Sequence, residues 1–279
     1  MGRLDGKVVL ISGVARSQGR SHAVRFAEEG ADVIGFDVLD EIKGALEGHG
    51  PATQADLDET VRQVEALDRR IIATKADVRD YAAVKAAVDD GVVQLGRLDV
   101  VLGNAGVFTS PALAEDLEDD IFMDTLNINV AGVWRTAKAA IPHLKKNQNG
   151  GSIIITSSGM GLKGYMNFAH YVSSKHALVG LMRTLALELA PHQIRVNSIH
   201  PGVVNTVMVV NDGLARLFRP DLESPTADDF FEVAKTLNPM GIPAVEAVDI
   251  SNAMVFLASD EARFITGVTV PVDAGTLVQ

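Results

Sequence analysis

KVVLISGVARSQGRSHAVRFAEEGADVIGFD, residues 7–37, decides how the rest of the chain reads. Residues 7–11 form a short apolar run of strand type, and Ser12 to Gly19 is rich in turn formers. Ser21 to Glu29 then carries helical spacing, with Ala23, Phe26 and Ala27 on one side and Gly30 at its end. ADVIGFD makes a second strand that closes at Asp37. Strand, glycine turn, helix and strand, with an acidic residue 18 positions after Gly19, is the layout of a dinucleotide-binding unit. In such a unit Gly13 permits a tight bend. Gly19 lets the helix pack close while its N-terminal N–H groups face a pyrophosphate.

Asp37 would accept hydrogen bonds from the adenosine ribose hydroxyls and repel a 2′-phosphate, which favours NAD over NADP. Arg16 and Arg20 pull the other way, because a basic side chain beside the turn suits that phosphate. From Leu39 to Arg70 the chain is polar and charged, and ADLDETVRQVEALDRR within it reads as an amphipathic helix. The 40 positions from Asp37 to Asp77 exceed what one helix and its connections need, so a loop is inserted here, expected near the adenosine end of the cofactor.

A third strand, IIATKAD, ends at Asp77, and Tyr81 to Gln94 is a further helix. LDVVLGNAG is a fourth strand whose closing turn, Asn104, Ala105 and Gly106, can present backbone to a cofactor. Glu115 to Lys146 reads as helical with a break near Asn127 to Asn129. Gly151 to Ser157 is a fifth strand, and the long helix after Phe168 runs to Ala190. IRVNSIH and GVTVPVD complete the count at seven. This alternation predicts an α/β chain with a doubly wound, parallel, seven-stranded sheet and helices on both faces, a single-domain Rossmann fold over residues 1–279.

The formal net charge of −11, with no basic cluster to offset it, argues against a nucleic-acid partner and an anionic membrane surface. The absence of cysteine removes disulfides, thiolate nucleophiles and cysteine-type zinc sites. Residues 1–10 lack a signal-peptide layout and no apolar run reaches membrane-spanning length, so a cytoplasmic protein is expected. His143, His170, His176, His192 and His200 show no metal-ligand spacing, and no bound metal is expected.

The chemistry is concentrated in SSGMGLKGYMNFAHYVSSK, residues 157–175. On a helix, Tyr171 and Lys175 share one face about 6 Å apart along the axis. An ammonium beside a phenol favours the phenolate, so the Tyr171 pKa is expected to fall towards working pH. A phenol so tuned takes a proton from an alcohol or returns one to a carbonyl. Tyr165 has no Lys four residues on; Tyr81 has one, Lys85, but lies outside this stretch.

In this order the parts resemble the short-chain dehydrogenase/reductase family along essentially the whole chain. SGVARSQG is similar to its Thr-Gly-x-x-x-Gly-x-Gly turn, with Ser12 for Thr and Ser17 for the middle Gly. Asp77-Val78, GNAG, HPG at 200–202 with Thr206, and VDAG resemble further family segments. The resemblance implies a catalytic set of Asn129, Ser158, Tyr171 and Lys175, with Ser157 as the alternative to Ser158. Tyr171 would exchange the hydroxyl proton, Lys175 hold the nicotinamide ribose, Ser158 bind the substrate oxygen, and Asn129 support a water-linked proton path. It also implies cofactor contacts from Gly13, Arg16, Ser17, Gln18 and Gly19 in the turn, from Asp37, Asp77 and Val78, and from Asn104, Ala105 and Gly106. Tyr171, Lys175, Pro201, Gly202, Val204 and Thr206 complete that set. Hydride would pass between NAD and the carbon of a small-molecule alcohol or ketone, in a homotetramer.

The glycine-turn helix, the insertion and the PVDAGTLVQ tail further resemble an actinobacterial branch of carveol dehydrogenases and mycofactocin-associated oxidoreductases. This implies a hydrophobic secondary alcohol such as a cyclic terpenol. Residues 203–243 are expected to form a substrate lid offering Val207, Met208, Leu214, Leu217, Phe218, Phe230 and Phe231. The rival functions are an NADPH-dependent keto or acyl reductase of the same fold and a non-catalytic NAD-binding sensor.

Overall fold

The computed structural model of the protein describes residues 2–46 and 50–279. Its strands are β1 (Val8–Ser12), β2 (Asp32–Asp37), β3 (Ile71–Lys75), β4 (Val100–Gly103), β5 (Gly151–Thr156), β6 (Ile194–Pro201) and β7 (Thr269–Val272). Among the described residues they form one seven-stranded sheet in the order β3-β2-β1-β4-β5-β6-β7. Every pairing is parallel.

Because both faces are covered, alternate residues of one strand enter two different cores. Val8 and Leu10 of β1 face a core shared with helices α3 (Tyr81–Leu95), α5 (Val133–Leu144) and α6 (Ala169–Leu189). Val9 and Ile11 face the opposite core, built on α1 (Ser17–Glu28), α2 (Gln54–Glu65) and α9 (Ala247–Ala258). Ile153, Ile154 and Ile155 in β5 divide in the same way and are buried. The chain leaves β1 towards β2 and later returns to β1's other side through β4. At that reversal the loops diverge and leave a crevice at the carboxyl ends of the strands.

The elements follow local chemistry, with instructive departures. Thr53 and Asp56 form a reciprocal capping box at the start of α2, and Gly96 ends α3 in the left-handed region at φ 86°. Helix α1 begins at Ser17 rather than Ser21. Its first turn is polar and faces the crevice, so apolar spacing does not reveal it. The third strand stops at Lys75, and residues 76–78 cross the crevice rim instead of extending it.

Helix α4 (Asp119–Leu126) starts later than Glu115. The expected break is a π turn, Asn127–Gly132, that continues α4 into α5 and leaves Asn129 buried. Residues 203–243 contain α7 (Asp212–Phe218) and α8 (Ala227–Leu237). A backbone bridge between Val204 and Val245 ties the two ends of this excursion together.

Candidate active site

The crevice is a cavity of about 410 Å³ reaching from the adenosine side at β2 to the end of α6. The residues expected to hold a cofactor all line it, and so do Ser158, Tyr171 and Lys175. Asn129 does not; it lies buried behind the wall.

Gly13 has φ +73°, and a Cβ on Gly19 would stand 1.8 Å from the Gly13 carbonyl oxygen, so α1 can begin this close to the turn only with glycine. Ser17 adopts φ +51°, a left-handed conformation that costs an ordinary residue roughly 1–2 kcal/mol. The serine therefore keeps the turn geometry at a cost that glycine would not incur. The Ser12 hydroxyl accepts the N–H groups of Asn104 (3.0 Å) and Ala105 (3.1 Å), which pins the turn after β4 against the glycine turn. The Asn104 side-chain amide donates to the Ser12 carbonyl at 3.1 Å.

At the end of β2, the Asp37 carboxylate accepts the N–H of Ala15 at 2.9 Å and of Val38 at 2.8 Å. Burial pushes its pKa up, opposed by those N–H groups and by Arg16. Arg20 is turned away from the crevice, donating to Thr60 Oγ1 (3.0 Å) and to the carbonyls of Ala15 (2.8 Å) and Asp56 (2.7 Å). Arg16 lines the crevice and donates to the carbonyls of Gly50 and Pro51 at the far end of the insertion.

The insertion reaches further than the adenosine end. Ala45 forms a backbone bridge with Thr109, and Ser110 donates its N–H to the Gly44 carbonyl at 2.9 Å. Leu46 is buried in a cluster with Phe108, Phe168, Tyr171 and Leu214. Phe108 stacks on Phe168 with centroids 4.8 Å apart and meets the Tyr171 ring edge-on at 4.6 Å. Sequence reasoning missed Leu46, Phe108 and Phe168, because isolated apolar residues in loops carry no periodic signal.

Of the residues expected in the 203–243 segment, Met208, Leu214, Leu217 and Phe218 pack around this aromatic cluster. Phe230 and Phe231 instead pack with Ala215 and Ala234 between α7 and α8, and Val207 is exposed. Their hydrophobicity holds the segment together rather than lining the crevice. Asp229 caps α8 with Thr226.

Helix α6 presents Tyr171 and Lys175 on one face, both buried. Lys175 Nζ donates to the Thr156 carbonyl at 3.0 Å and sits 5.4 Å from the Tyr171 ring centroid. The expected fall in the Tyr171 pKa is not what this geometry gives. Burial pushes it up to about 12, with a hydrogen bond to Ser158 acting against the rise. Burial also brings Lys175 down to about 8. The ammonium lies against the ring and a carbonyl, so loss of water outweighs charge attraction.

Ser157 is buried and donates its hydroxyl to the Lys175 carbonyl at 2.9 Å, which leaves Ser158 as the serine facing Tyr171. Asn129 accepts the Val107 N–H at 2.8 Å and donates to the Val107 carbonyl (3.0 Å) and Ser174 Oγ (3.1 Å). Among the described residues, no group of three or more His, Asp and Glu side chains is arranged to hold a metal ion.

A family model described as Enoyl-(Acyl carrier protein) reductase matches residues 13–276. The chain belongs to the short-chain dehydrogenase/reductase family. As a member of that family it is an oxidoreductase. It is 52% identical over 279 residues, covering 100% of both chains, to the (-)-trans-carveol dehydrogenase of Rhodococcus erythropolis. Among solved structures, it matches the carveol dehydrogenase from Mycobacterium avium in complex with NAD with a TM-score of 0.98, at 51% identity and 100% coverage of each chain. A short chain dehydrogenase from Mycobacterium paratuberculosis bound to NAD gives a TM-score of 0.90 at 42% identity, again over 100% of each chain. The short-chain dehydrogenase/reductase assignment thus rests on a match over nearly the whole chain and on the sheet order together.

Proposed function

We propose that this protein is an NAD-dependent dehydrogenase of a hydrophobic secondary alcohol, of the carveol-like cyclic terpenol class, with Tyr171 as proton acceptor. One observation carries the reading. The Ser158–Tyr171–Lys175 group opens into the same cavity as the glycine turn and Asp37, and the apolar cluster of Phe108, Phe168 and Leu46 packs with Tyr171. The names of the two carveol dehydrogenase relatives support the substrate class.

The crevice fits NAD. The close approach at Gly19 leaves room beside the α1 N-terminus for a pyrophosphate, and the Asp37 carboxylate lining the crevice would repel a 2′-phosphate while Arg20 is committed elsewhere. NAD, when bound, supplies the hydride acceptor. The chain's own residues handle orientation and the proton. Ser158 holds the substrate oxygen next to Tyr171, whose phenolate form takes the hydroxyl proton as the carbonyl forms. Lys175 keeps a positive charge beside that phenolate and would hold the nicotinamide ribose. Asn129 fixes the Val107 backbone and links through Ser174 to α6, where it supports a proton path to Lys175. The segment 203–243 acts as the lid over the substrate.

The same reading places the enzyme in the cytoplasm as a homotetramer of the mycofactocin-associated branch. The branch rests on the resemblance of the insertion and the tail. Supporting the assembly, an apolar groove along α4, α5 and α6 includes exposed Met123 and Trp134 with Leu126, Val130 and Leu181, a surface suited to a second copy. No described helix is long and apolar enough to cross a membrane.

The test is turnover of a panel of cyclic secondary alcohols with NAD and with NADP, read as reduced nicotinamide. Turnover with NAD and poor use of NADP is expected. Preference for NADP, or turnover only of acyl substrates, would overturn the proposal.

A further inference from the structure

Strand β6 alternates cleanly until its carboxyl end. Ile194 and Val196 face the α6 side and are buried in its core, as the pleat requires. The next two residues on that face are Ser198 and His200, both fully buried. A buried imidazole on an apolar sheet face needs partners, and here both nitrogens have one. His200 Nδ1 is 2.7 Å from the Ser158 backbone carbonyl oxygen, and Nε2 is 2.9 Å from Ser198 Oγ.

The acceptor fixes the tautomer. A carbonyl oxygen only accepts, so Nδ1 carries the hydrogen and donates it to Ser158. Nε2 then accepts the Ser198 hydroxyl hydrogen. Burial brings the His200 pKa down to about 4, with Lys175 and His176 acting in the same direction, so the ring stays neutral in this arrangement.

The residue held in this way is the serine that faces Tyr171. Ser158 has extended backbone, accepts the Met160 N–H on its own Oγ at 3.1 Å, and accepts the Gly161 N–H on its carbonyl at 2.9 Å. His200 supplies the second bond to that carbonyl, from the neighbouring strand. The bond ties the end of β5 to the end of β6, where Pro201 and Gly202 also enter the crevice.

We propose that His200 is a positioning residue that sets where the Ser158 hydroxyl stands relative to Tyr171, and thereby the rate of the proton and hydride step. It touches neither substrate nor cofactor in this role. The inference rests on the alcohol dehydrogenase reading above.

The experiment compares wild type with His200→Leu, His200→Asn and Ser198→Ala, using NAD and a cyclic secondary alcohol with and without deuterium at the carbinol carbon. Leu fills the ring's space without a donor, whereas Asn can place an N–H near the position of Nδ1. For His200→Leu, kcat is expected to fall about tenfold, the loss of one positioned hydrogen bond. The primary deuterium isotope effect on kcat should rise, and the NAD dissociation constant should stay near wild type. His200→Asn should recover most of the rate. Ser198→Ala, which keeps the Nδ1 bond, should lose about twofold to threefold, within the range of a neutral hydrogen bond.

Equal rates for the Leu and Asn variants, or a slower Leu variant with an unchanged isotope effect, would overturn the positioning role. If His200→Leu does not fold, an unaltered rate and isotope effect in Ser198→Ala would overturn it. Absence of turnover in the wild type would instead overturn the alcohol dehydrogenase reading, so the two failures are told apart.

Discussion

The two halves of the crevice are built on different principles. The half beneath β1, β2 and β4 is a backbone construction in which Gly13, Gly19 and Ser12 fix where N–H groups and carbonyls stand. The other half is a side-chain construction, in which Phe108, Phe168, Leu46 and Met208 come from separate loops and meet only through packing. A backbone construction demands particular residues at fixed spacing, because a Cβ at Gly19 would collide with the turn. A packed wall demands only volume and apolarity, which many sequences supply. Tyr171 and Lys175 stand at the seam between the two.

Substitutions should separate the halves. Lys175→Ala removes a buried cation from the seam, so it should damage both functions: kcat should fall roughly 10²–10³-fold, as for loss of a positioned electrostatic group, and NAD binding should weaken in a fluorescence titration. Asp37→Asn acts on the backbone half alone. NAD affinity should drop roughly tenfold to a hundredfold, the range for a lost charged hydrogen bond, while NADP binding improves and alcohol preference stays the same. Leu46→Ala acts on the packed half. The kcat/KM for a bulky cyclic alcohol should fall about tenfold relative to a smaller one, with the NAD dissociation constant unchanged.

A smaller, graded test comes from pH. Burial raises the Tyr171 pKa to about 12, so the phenol is protonated at neutral pH, the form that serves ketone reduction. Alcohol oxidation needs the phenolate, whose fraction grows as pH rises. Oxidation should therefore increase with pH above neutrality while reduction stays flat. The rise should bend near pH 8, where Lys175 begins to lose its charge. Oxidation that falls across that interval would contradict the assignment of Tyr171 as the base.

The same contrast accounts for what the sequence disclosed. The seven-strand alternation and the glycine turn are legible because backbone geometry restricts their residues, and Asp37 and the Tyr171–Lys175 pair because their side-chain chemistry sits at a set place in that order. The start of α1 at Ser17 and the π turn at Asn127 were less legible, since neither changes the spacing of apolar residues. The reach of the insertion to Phe108 was not legible at all. It depends on Ala45 pairing with Thr109, a contact between loops 64 positions apart in the chain. The direction of the Tyr171 shift also escaped, because spacing records the neighbouring charge and not the loss of water around both groups.

The most direct measurement pairs two quantities in one variant, Tyr171→Phe: single-turnover oxidation of a cyclic secondary alcohol, and the dissociation constant for NAD. A proton-accepting Tyr171 predicts a rate lower by roughly 10²–10⁴, the span of general acid–base catalysis, with NAD affinity close to wild type. Turnover that survives the loss of the hydroxyl would contradict it.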